Sequence, residues 1–320
     1  PCWCSSPSTA AAAPVRYRRA VADTPALSAL QLGELACWRV RHGDGELLIS
    51  QQGAQILRYG RDGQPPLIWL SEQAAYRRGQ GVRGGVPICW PWFGDLKRNP
   101  PAVQALAPDL DSAAFHGGVR SLDWQLVDSR VDADGVSLTF SGPSPAVGNP
   151  AWPPELTVSL QIRLDQQLHI RLLSHNHGTQ PLTLSQALHS YFAVSDIRQV
   201  EVEGLAGCRY IETLDDWQER QQTGALGFAG ETDRIYLGLP PHLSLVDHGW
   251  QRRINLHSQG SASAVLWNPW VDKALRLSDF AADAWQRMLC IETANVWDDC
   301  VHLAPGASHS LDLRLSCTAL

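Results

Sequence analysis

The sequence predicts an all-β protein, a large antiparallel β-sandwich with a few short helices. From about Leu30 onward, short alternating or apolar runs are separated by Gly, Pro, Asn and Asp residues, which is the pattern of strands joined by turns. Helical periodicity is almost absent, and no long helix alternates with the strands. These observations favour stacked antiparallel sheets over a parallel α/β fold.

The predicted strands follow one another closely along the chain. The Asp134-Gly135 pair suits a hairpin turn between two of them. Helix is expected only in two short segments, Ser71–Tyr76 and Ala281–Met288. The strands themselves are Gly45–Ser50, Gln55–Tyr59, Leu67–Leu70, Trp124–Asp128, Gly135–Ser141, Leu156–Leu164, Leu168–Ser174, Leu182–Leu188, Val200–Gly204, Ser244–Asp247, Arg253–His257 and Ala264–Trp267.

Length and composition predict one large domain preceded by an extension. The chain has 320 residues, and its 44% hydrophobic fraction can support a sizeable core. Residues 1–20 are small, Pro-rich and then basic, without the continuous apolar core of a secretory signal. We therefore predict a disordered leader over residues 1–25 and a single β-sandwich domain over residues 26–320.

The charge balance and the cysteine pattern argue against several classes of partner. A net charge of −6 disfavours nucleic-acid binding through a phosphate-neutralising surface. No run approaches the roughly 20 apolar residues of a membrane span. The eight cysteines are scattered without paired metal-ligand spacing, which indicates a reduced, cytoplasmic setting. We expect neither a nucleic-acid nor a membrane partner, and we expect a monomer.

Two polar side chains stand inside apolar runs of this β-rich sequence. Glu292 follows the run Leu289–Ile291, and His189 lies within Leu188–Phe192. A buried carboxylate loses its hydration, so its burial must be offset by pairing or by use. A lone histidine on an apolar strand is more often a hydrogen-bonded core residue than a catalyst. Together, however, an acid and an imidazole from separate strands can move protons between sugar oxygens.

Arginines beside paired glycines form a second set of candidates. Arg83 precedes Gly84 and Gly85 at a tight corner, where a guanidinium suits an oxyanion such as phosphate. His116 and Arg120 lie four residues apart around another Gly pair, and both point into one pocket if the chain bends there. The alternative for the segment around Arg83 is an aromatic corner of the core. The alternative for the segment around Arg120 is a turn at the start of a strand, with Arg120 exposed to solvent.

Asp233 and several tryptophans are weaker candidates. Asp233 opens a further apolar segment and, by itself, suits a turn or capping position. The 13 tryptophans supply flat surface for core corners and for the faces of sugar rings, and we interpret most of them as core. The loop over residues 148–154 is interpreted as a surface packing element rather than a cleft wall. The candidate walls of a cleft are Trp90, Trp92, Trp267 and Trp270.

Metal and nucleophile chemistry find little support in the sequence. His175 and His177 are two residues apart and could share one face of a strand. The segment from Ser174 to Gly178 is, however, typical of a polar turn, and no third ligand follows at a diagnostic spacing. A Gly-x-Ser-x-Gly elbow and a nucleotide phosphate loop are both missing. We therefore expect no metal and no cofactor.

In their order along most of the chain, these segments resemble the hexose-6-phosphate mutarotases, the glucose-6-phosphate 1-epimerases of the galactose-mutarotase-like superfamily. Each motif is weak alone, and the order makes the signature specific. The resemblance implies a many-stranded supersandwich with a shallow cleft on one face. The matching segments are Gly53–Gln55, Trp69–Ser71, Arg83–Gly94, His116-Gly117 with Arg120, Leu188–Phe192, Asp196-Ile197, Thr232–Tyr236, Trp267–Pro269 and Glu292–Ala294.

The resemblance implies that Glu292 is the catalytic base and His189 the catalytic acid. It also implies that His116 and Asp233 hold the sugar and that Arg83 and Arg120 are associated with the phosphate. Trp267, a candidate wall of the cleft, completes the set of predicted substrate-binding residues. The sequence departs from the family at Gly118-Val119, where a large residue and then Ala are more usual, and this departure bears on the shape of the phosphate end.

The predicted activity is interconversion of the α and β anomers of an aldohexose 6-phosphate, with glucose 6-phosphate as the leading substrate. A base takes the proton of the anomeric hydroxyl while an acid protonates the ring oxygen, and reclosure on the other carbonyl face gives the other anomer. Two alternatives stay open: an aldose 1-epimerase acting on unphosphorylated sugar, and a non-catalytic carbohydrate-binding protein.

Overall fold

The computed structural model of the protein describes residues 26–143 and 152–320. These residues form mainly strands, as the sequence predicts. In chain order the strands are β1 Leu27–Leu32, β2 Leu35–His42, β3 Gly45–Ser50, β4 Ile56–Arg61, β5 Ile88–Cys89, β6 Gln125–Asp132, β7 Gly135–Ser141, β8 Leu156–Leu164, β9 Leu168–Asn176, β10 Leu182–Leu184, β11 Gln186–Leu188, β12 Tyr191–Ala193, β13 Val200–Glu203, β14 Arg209–Glu212, β15 Gln218–Gln221, β16 Leu226–Gly227, β17 Thr232–Leu237, β18 His242–Asp247, β19 Arg252–Gln259, β20 Ser263–Asn268, β21 Met288–Asn295, β22 Val301–Leu303 and β23 Ser308–Ala319.

Helices are short and lie between strands. Two are α-helical, α1 over Pro101–Gln104 and α2 over Trp270–Ala274. Single turns of 3₁₀-helix occupy Leu96–Arg98, Val119–Ser121, Ile197–Gln199, Ala284–Arg287 and Trp297–Asp299.

The strands assemble into large antiparallel sheets. A nine-stranded sheet has the order β16-β13-β18-β19-β23-β9-β8-β7-β6, and an eight-stranded sheet has the order β15-β14-β17-β20-β21-β11-β5, with β12 also paired to β21. A four-stranded sheet, β1-β2-β3-β4, packs on the nine-stranded sheet through Trp38 and Phe140, whose ring centroids are 5.4 Å apart. A small sheet joins β10 to β22.

The pattern of burial explains why strands form where they do. Strands β8 and β9 alternate buried and partly exposed residues, because one face of their sheet meets the core and the other meets solvent. Strand β21 is buried along its whole length, because both faces of the eight-stranded sheet are covered there. One face contributes Ile291 to the main hydrophobic core. The other face carries a smaller apolar cluster that includes Ile235 and Val265.

Several predicted strands have different bounds in the structure. Leu67–Leu70 is not a strand, since it forms only isolated bridges from Ile68 and Leu70. The predicted strand Leu182–Leu188 is broken at Ser185, whose hydroxyl accepts a hydrogen bond from the Phe93 amide. The predicted polar turn over Ser174–Gly178 begins later than expected, because β9 continues to Asn176, with His175 opposite Ser308 on β23. The Gly178 amide then donates to Asn176 Oδ1.

The two predicted helical segments also differ from the structure. Ser71–Tyr76 is not helical, because the Ser71 hydroxyl accepts a hydrogen bond from the Gln73 amide and closes a local turn. Ala281–Met288 contains only the 3₁₀ turn Ala284–Arg287. The predicted hairpin at Asp134 is confirmed, since β6 and β7 pair directly around it.

Some predictions fall outside the described residues. The expected leader over residues 1–25 is among these, and the single-domain boundary stays a prediction. Most of the 148–154 loop is also outside, apart from its end, where Trp152 is buried against Trp90 with ring centroids 5.3 Å apart. Within the described ranges, no helix is both long enough and apolar enough to cross a membrane.

Candidate active site

Three neighbouring strands place side chains from distant parts of the chain on one face of the eight-stranded sheet. Strand β17 pairs Asp233 with Trp267 on β20, and β20 pairs Val265 with Glu292 on β21. Directly paired residues project from the same face of a sheet. Glu292, Trp267 and Asp233 therefore share the face that carries the smaller apolar cluster.

This face forms the floor of a cleft of about 630 Å³. Loops from other parts of the chain complete the walls. All the residues predicted to be catalytic or substrate-binding line this cleft. They are joined there by Phe93, Arg98, Phe115, Tyr191, Trp217, Lys273 and Trp297.

His189 lies at the end of β11, between β11 and β12, and is fixed from two sides. Its backbone amide donates a hydrogen bond of 3.0 Å to the Pro87 carbonyl. Its imidazole stacks on the Tyr191 ring, with centroids 4.8 Å apart and planes 8° from parallel. In this position Nε2 of His189 is 3.4 Å from Oε1 of Glu292. The structure thus brings together the two residues that the sequence singles out as acid and base.

Burial sets the charge state of this pair. The pKa of the Glu292 carboxyl is raised well above its usual value by burial, and the negative charge of Asp233 adds to that shift. The pKa of His189 is lowered to about 3, first by burial and then by the positive charge of Arg120. Both shifts favour the neutral forms, a protonated Glu292 carboxyl beside a neutral His189 imidazole.

Two atoms of the pair lack a hydrogen-bond partner. Glu292 Oε2 and His189 Nδ1 are both buried, and neither is bonded within the described part of the chain. Most buried polar atoms in native proteins have a partner, and an exception can reflect a catalytic role or a water or ion at that position. Because both atoms belong to residues that line the cleft, they are available to a ligand there.

His116 stands beside the pair as a fixed donor. Its Nδ1 accepts a hydrogen bond of 3.0 Å from the Gly94 amide, so the proton of the neutral ring is on Nε2. Burial, with the neighbouring His189, lowers its pKa well below the usual value and keeps the ring neutral. The ring centroids of His116 and His189 are 5.3 Å apart.

Gly117 allows the tight backbone bend next to His116. Gly117 has a φ of +73°, and a Cβ there would lie 1.9 Å from the Trp90 carbonyl oxygen. The close approach bends the chain so that His116 and Arg120 both reach the cleft, as predicted from the glycine pair.

Two arginines form a cationic wall. Arg83 Nε donates to the Ser278 carbonyl at 3.3 Å, and Arg120 Nη2 donates to the Phe115 carbonyl at 2.7 Å. Among the described residues, no carboxylate forms a salt bridge with either guanidinium, whereas most arginines elsewhere in the structure are paired. Both also border an adjoining pocket of about 410 Å³. Their charge is therefore available to an anionic group of a ligand.

Asp233 belongs to a local charge network. Its Oδ2 lies 3.7 Å from Nζ of Lys273, which also contacts Glu231 Oε1 at 3.0 Å. The Lys273 ammonium lies 5.8 Å from the centroid of the Trp267 ring. Burial raises the pKa of Asp233 and the Lys273 charge opposes that rise. Lys273 thus holds the carboxylate and covers the tryptophan wall.

Of the four candidate tryptophan walls only Trp267 lines the cleft, and two tryptophans outside that set line it as well. Trp90 and Trp92 are buried in the core, and Trp270 packs against another tryptophan, with ring centroids 4.4 Å apart, so none of them lines the cleft. Trp217 and Trp297 do line it. Both have positive φ angles, 60° and 55°, which a sequence pattern does not reveal.

Gly118, which stands where the family more often has a large residue, lies against a tryptophan side chain. A Cβ at Gly118 would lie 2.8 Å from the Trp152 ring. Trp152 therefore occupies the space that a larger residue at position 118 would need. The indole precedes β8 and also packs against Trp90, with ring centroids 5.3 Å apart.

One group of potential metal ligands is found in the described ranges. Donor atoms of His189, Cys290 and Glu292 all lie within 4.8 Å of one another. Cys290 carries no functional signal in the sequence, because a cysteine in an apolar run is an ordinary core residue. The His175 and His177 rings are adjacent, with centroids 3.9 Å apart, but no third ligand joins them in the described structure.

A large antiparallel sandwich whose cleft pairs a buried carboxyl with an imidazole is suited to acid–base chemistry on a polar ligand. Comparison with known proteins identifies the class of enzyme. The model of the aldose 1-epimerase family matches residues 36–316. A protein of Escherichia coli named "Putative glucose-6-phosphate 1-epimerase" is 35% identical over 273 residues, which are 85% of this chain and 87% of that protein. A plant protein of the same name, from Cenchrus ciliaris, is 30% identical over 79% of this chain and 76% of its own.

The fold comparison gives the same result. The crystal structure of a "putative mutarotase" from Salmonella typhimurium superposes with a TM-score of 0.83 at 28% identity, over 93% of this chain and 95% of that one. The chain therefore belongs to the aldose 1-epimerase family, and it is an isomerase with the galactose-mutarotase-like fold.

Proposed function

We propose that this isomerase interconverts the α and β anomers of an aldohexose 6-phosphate, with glucose 6-phosphate as the leading substrate. The observation that carries the proposal is the position of the His189–Glu292 pair in the same cleft as Arg83 and Arg120. The pair supplies acid and base for a sugar ring, and the unpaired guanidiniums suit a phosphate. The names of the bacterial and plant relatives point to the same substrate.

The reaction needs one proton to be taken up and one to be given at each step. Glu292 as carboxylate takes the proton of the anomeric hydroxyl, while His189 as imidazolium gives a proton to the ring oxygen as the bond from C1 to that oxygen breaks. The open-chain aldehyde turns about the C1–C2 bond. On reclosure His189 takes the proton back, the ring oxygen attacks the other face of C1, and Glu292 returns its proton to the new anomeric oxygen.

The charge state of the pair is compatible with this scheme. The favoured state has the proton on Glu292, and the reactive state is reached when that proton moves to His189 across 3.4 Å, without exchange with solvent. Arg120 and Arg83 both lower the pKa of His189. A phosphate dianion bound between them would cancel part of that effect and favour the imidazolium.

The remaining residues are proposed to bind the sugar ring. His116 would donate from Nε2 to a hydroxyl or ring oxygen, and the Asp233 carboxylate would accept from a hydroxyl. The Trp267 ring would cover one sugar face. The mechanism assigns no step to a cofactor. A monomeric state and a cytoplasmic location stay predictions.

The substrate class is tested by measuring anomer exchange polarimetrically with freshly dissolved glucose 6-phosphate and with glucose at equal concentration. The proposal requires kcat/KM to be at least tenfold higher for the phosphorylated sugar. A preference for glucose would support the aldose 1-epimerase alternative. Saturable binding of either sugar without exchange would support the carbohydrate-binding alternative.

A further inference from the structure

A third side chain lies within reach of the acid–base pair. Cys290 stands two residues before Glu292 on β21, so both project from the same face of the strand. Donor atoms of His189, Cys290 and Glu292 lie within 4.8 Å of one another, and all three residues are buried. We propose that this triad binds a thiophilic divalent cation, Zn²⁺ in particular, and that the bound ion blocks the sugar site.

The geometry is close to that of a zinc centre with three protein ligands. Zinc bonds of about 2.3 Å to sulfur and about 2.0–2.2 Å to nitrogen and oxygen place tetrahedral donor atoms roughly 3.3–3.6 Å apart. The separation of 3.4 Å between His189 Nε2 and Glu292 Oε1 already falls in this range. The two donor atoms that lie farthest apart have to approach each other by roughly 1 Å. Rotation of the Cys290 and Glu292 side chains can supply this movement.

An unsatisfied atom supports a ligand at this position. Glu292 Oε2 is buried and has no hydrogen-bond partner in the described structure. The Glu292 side chain is only 2% exposed, so bulk water does not solvate this oxygen. A metal ion held by both oxygens of the Glu292 carboxylate would give Oε2 a partner as well as Oε1.

The charges of the triad match a divalent ion. A Cys290 thiolate and a Glu292 carboxylate together neutralise Zn²⁺, and His189 binds as neutral imidazole. The loaded site then carries no net charge, which limits the penalty for burying the ion. The thiol proton and the carboxyl proton leave for solvent as the bonds to the metal form. Mg²⁺ prefers oxygen ligands in octahedral geometry and does not suit this set.

Binding of the ion is expected to inhibit the enzyme. With the Glu292 carboxylate and a His189 nitrogen bound to zinc, neither group can exchange a proton with a sugar. The fourth metal position faces the cleft, where water or a hydroxyl can occupy it. Zinc and sugar should therefore compete. The position of the triad supports the metal site by itself, whereas the expected inhibition rests on the proposed function of His189 and Glu292.

Calorimetric titration with ZnCl₂ in the absence of sugar tests the site directly. The variant Cys290→Ala removes the sulfur ligand, and Cys89→Ala is the matched control, because Cys89 is equally buried but lies outside the triad. Wild type and Cys89→Ala should bind Zn²⁺ with equal affinity, and Cys290→Ala at least tenfold more weakly. Surface histidines such as His242 and His257 are present in all three proteins, so the difference between variants reports the triad.

A second readout identifies the ligand atom even if Cys290→Ala fails to fold. Co²⁺ bound to wild type should show a near-ultraviolet thiolate-to-cobalt absorption band, and sugar should displace the ion. In the activity assay, Zn²⁺ but not Mg²⁺ should raise the apparent KM. Equal zinc affinity of the two alanine variants, or a cobalt spectrum without the thiolate band, would overturn the proposal. Zinc binding that depends on Cys290 but leaves activity unchanged would overturn the claim that the ion blocks the sugar site.

Discussion

Nε2 of His189 and Oε1 of Glu292 are 3.4 Å apart, although one side chain follows β11 and the other lies on β21. The two strands are neighbours in the eight-stranded sheet, with Leu188 opposite Thr293. A second contact fixes their register: the Gln186 side-chain amide donates to Asn295 Oδ1 at 3.0 Å. The sheet itself therefore sets the geometry of the pair.

The substitution Glu292→Gln should abolish most of the activity and leave the fold intact. It removes the proposed base but keeps the size of the side chain, and burial, which raises the pKa of Glu292, already favours a neutral group at this position. We expect kcat to fall by about 10²–10⁴-fold. The unfolding free energy should change by less than about 1 kcal/mol in urea titration. A variant with near-normal turnover would contradict the role of Glu292 as base.

Arg83→Ala should weaken the binding of phosphorylated sugar more than it slows turnover. A charge-assisted hydrogen bond contributes about 1.5–3 kcal/mol, so KM for glucose 6-phosphate should rise roughly 10–100-fold with little change in kcat. KM for glucose should stay the same. Arg58→Ala is the control, because Arg58 is exposed on β4. A collapsed kcat at normal KM would refute the binding role.

Asp233→Asn should affect both sugars alike. The proposed contact is to a ring hydroxyl, which glucose and glucose 6-phosphate share, and Asn keeps the shape while losing the charged acceptor. Loss of about 1–2 kcal/mol should raise KM for each sugar roughly 5–30-fold. Steady-state kinetics on the two sugars measures this. An increase in KM for glucose 6-phosphate alone would show that Asp233 acts near the phosphate and not at a ring hydroxyl.

Gly117→Ala should destabilise the protein and disturb the site. The new Cβ would meet the Trp90 carbonyl oxygen at 1.9 Å, in addition to the strain of the positive φ. We expect a loss of at least about 2 kcal/mol in the unfolding free energy. Gly79→Ala isolates the strain, because Gly79 has a φ of +76° with no atom within 4 Å of the new Cβ. Equal losses in the two variants would show that the close contact has no cost.

Much of the fold and the core of the candidate site could be predicted from the sequence. Alternating runs such as Gly135–Ser141 and Leu156–Leu164 have one solvated face, so their periodicity defines their bounds. Glu292 could be found because a carboxylate in a buried strand stands out chemically. His189 could be singled out in the same way, but its closeness to Glu292 depends on the pairing of β11 with β21, a long-range contact that the local sequence does not show.

Other parts of the site leave no signal in the local sequence. Lys273 reaches Asp233 from a short helix, and Trp217 enters the cleft from a turn with positive φ. Trp90 and Trp92 lie in the segment that carries Arg83, yet they point into the core. Which face a side chain takes in such an irregular segment depends on tertiary packing, and no periodicity describes it.

The central claim is that His189 and Glu292 act as one unit in anomer exchange. A double-mutant cycle measures this most directly, with kcat/KM for glucose 6-phosphate determined by polarimetry in wild type, His189→Ala, Glu292→Gln and the double variant. Residues that act together give strongly non-additive losses. The account predicts that the double variant is about as slow as the slower single variant. Losses that multiply, or rates equal to wild type, would contradict it.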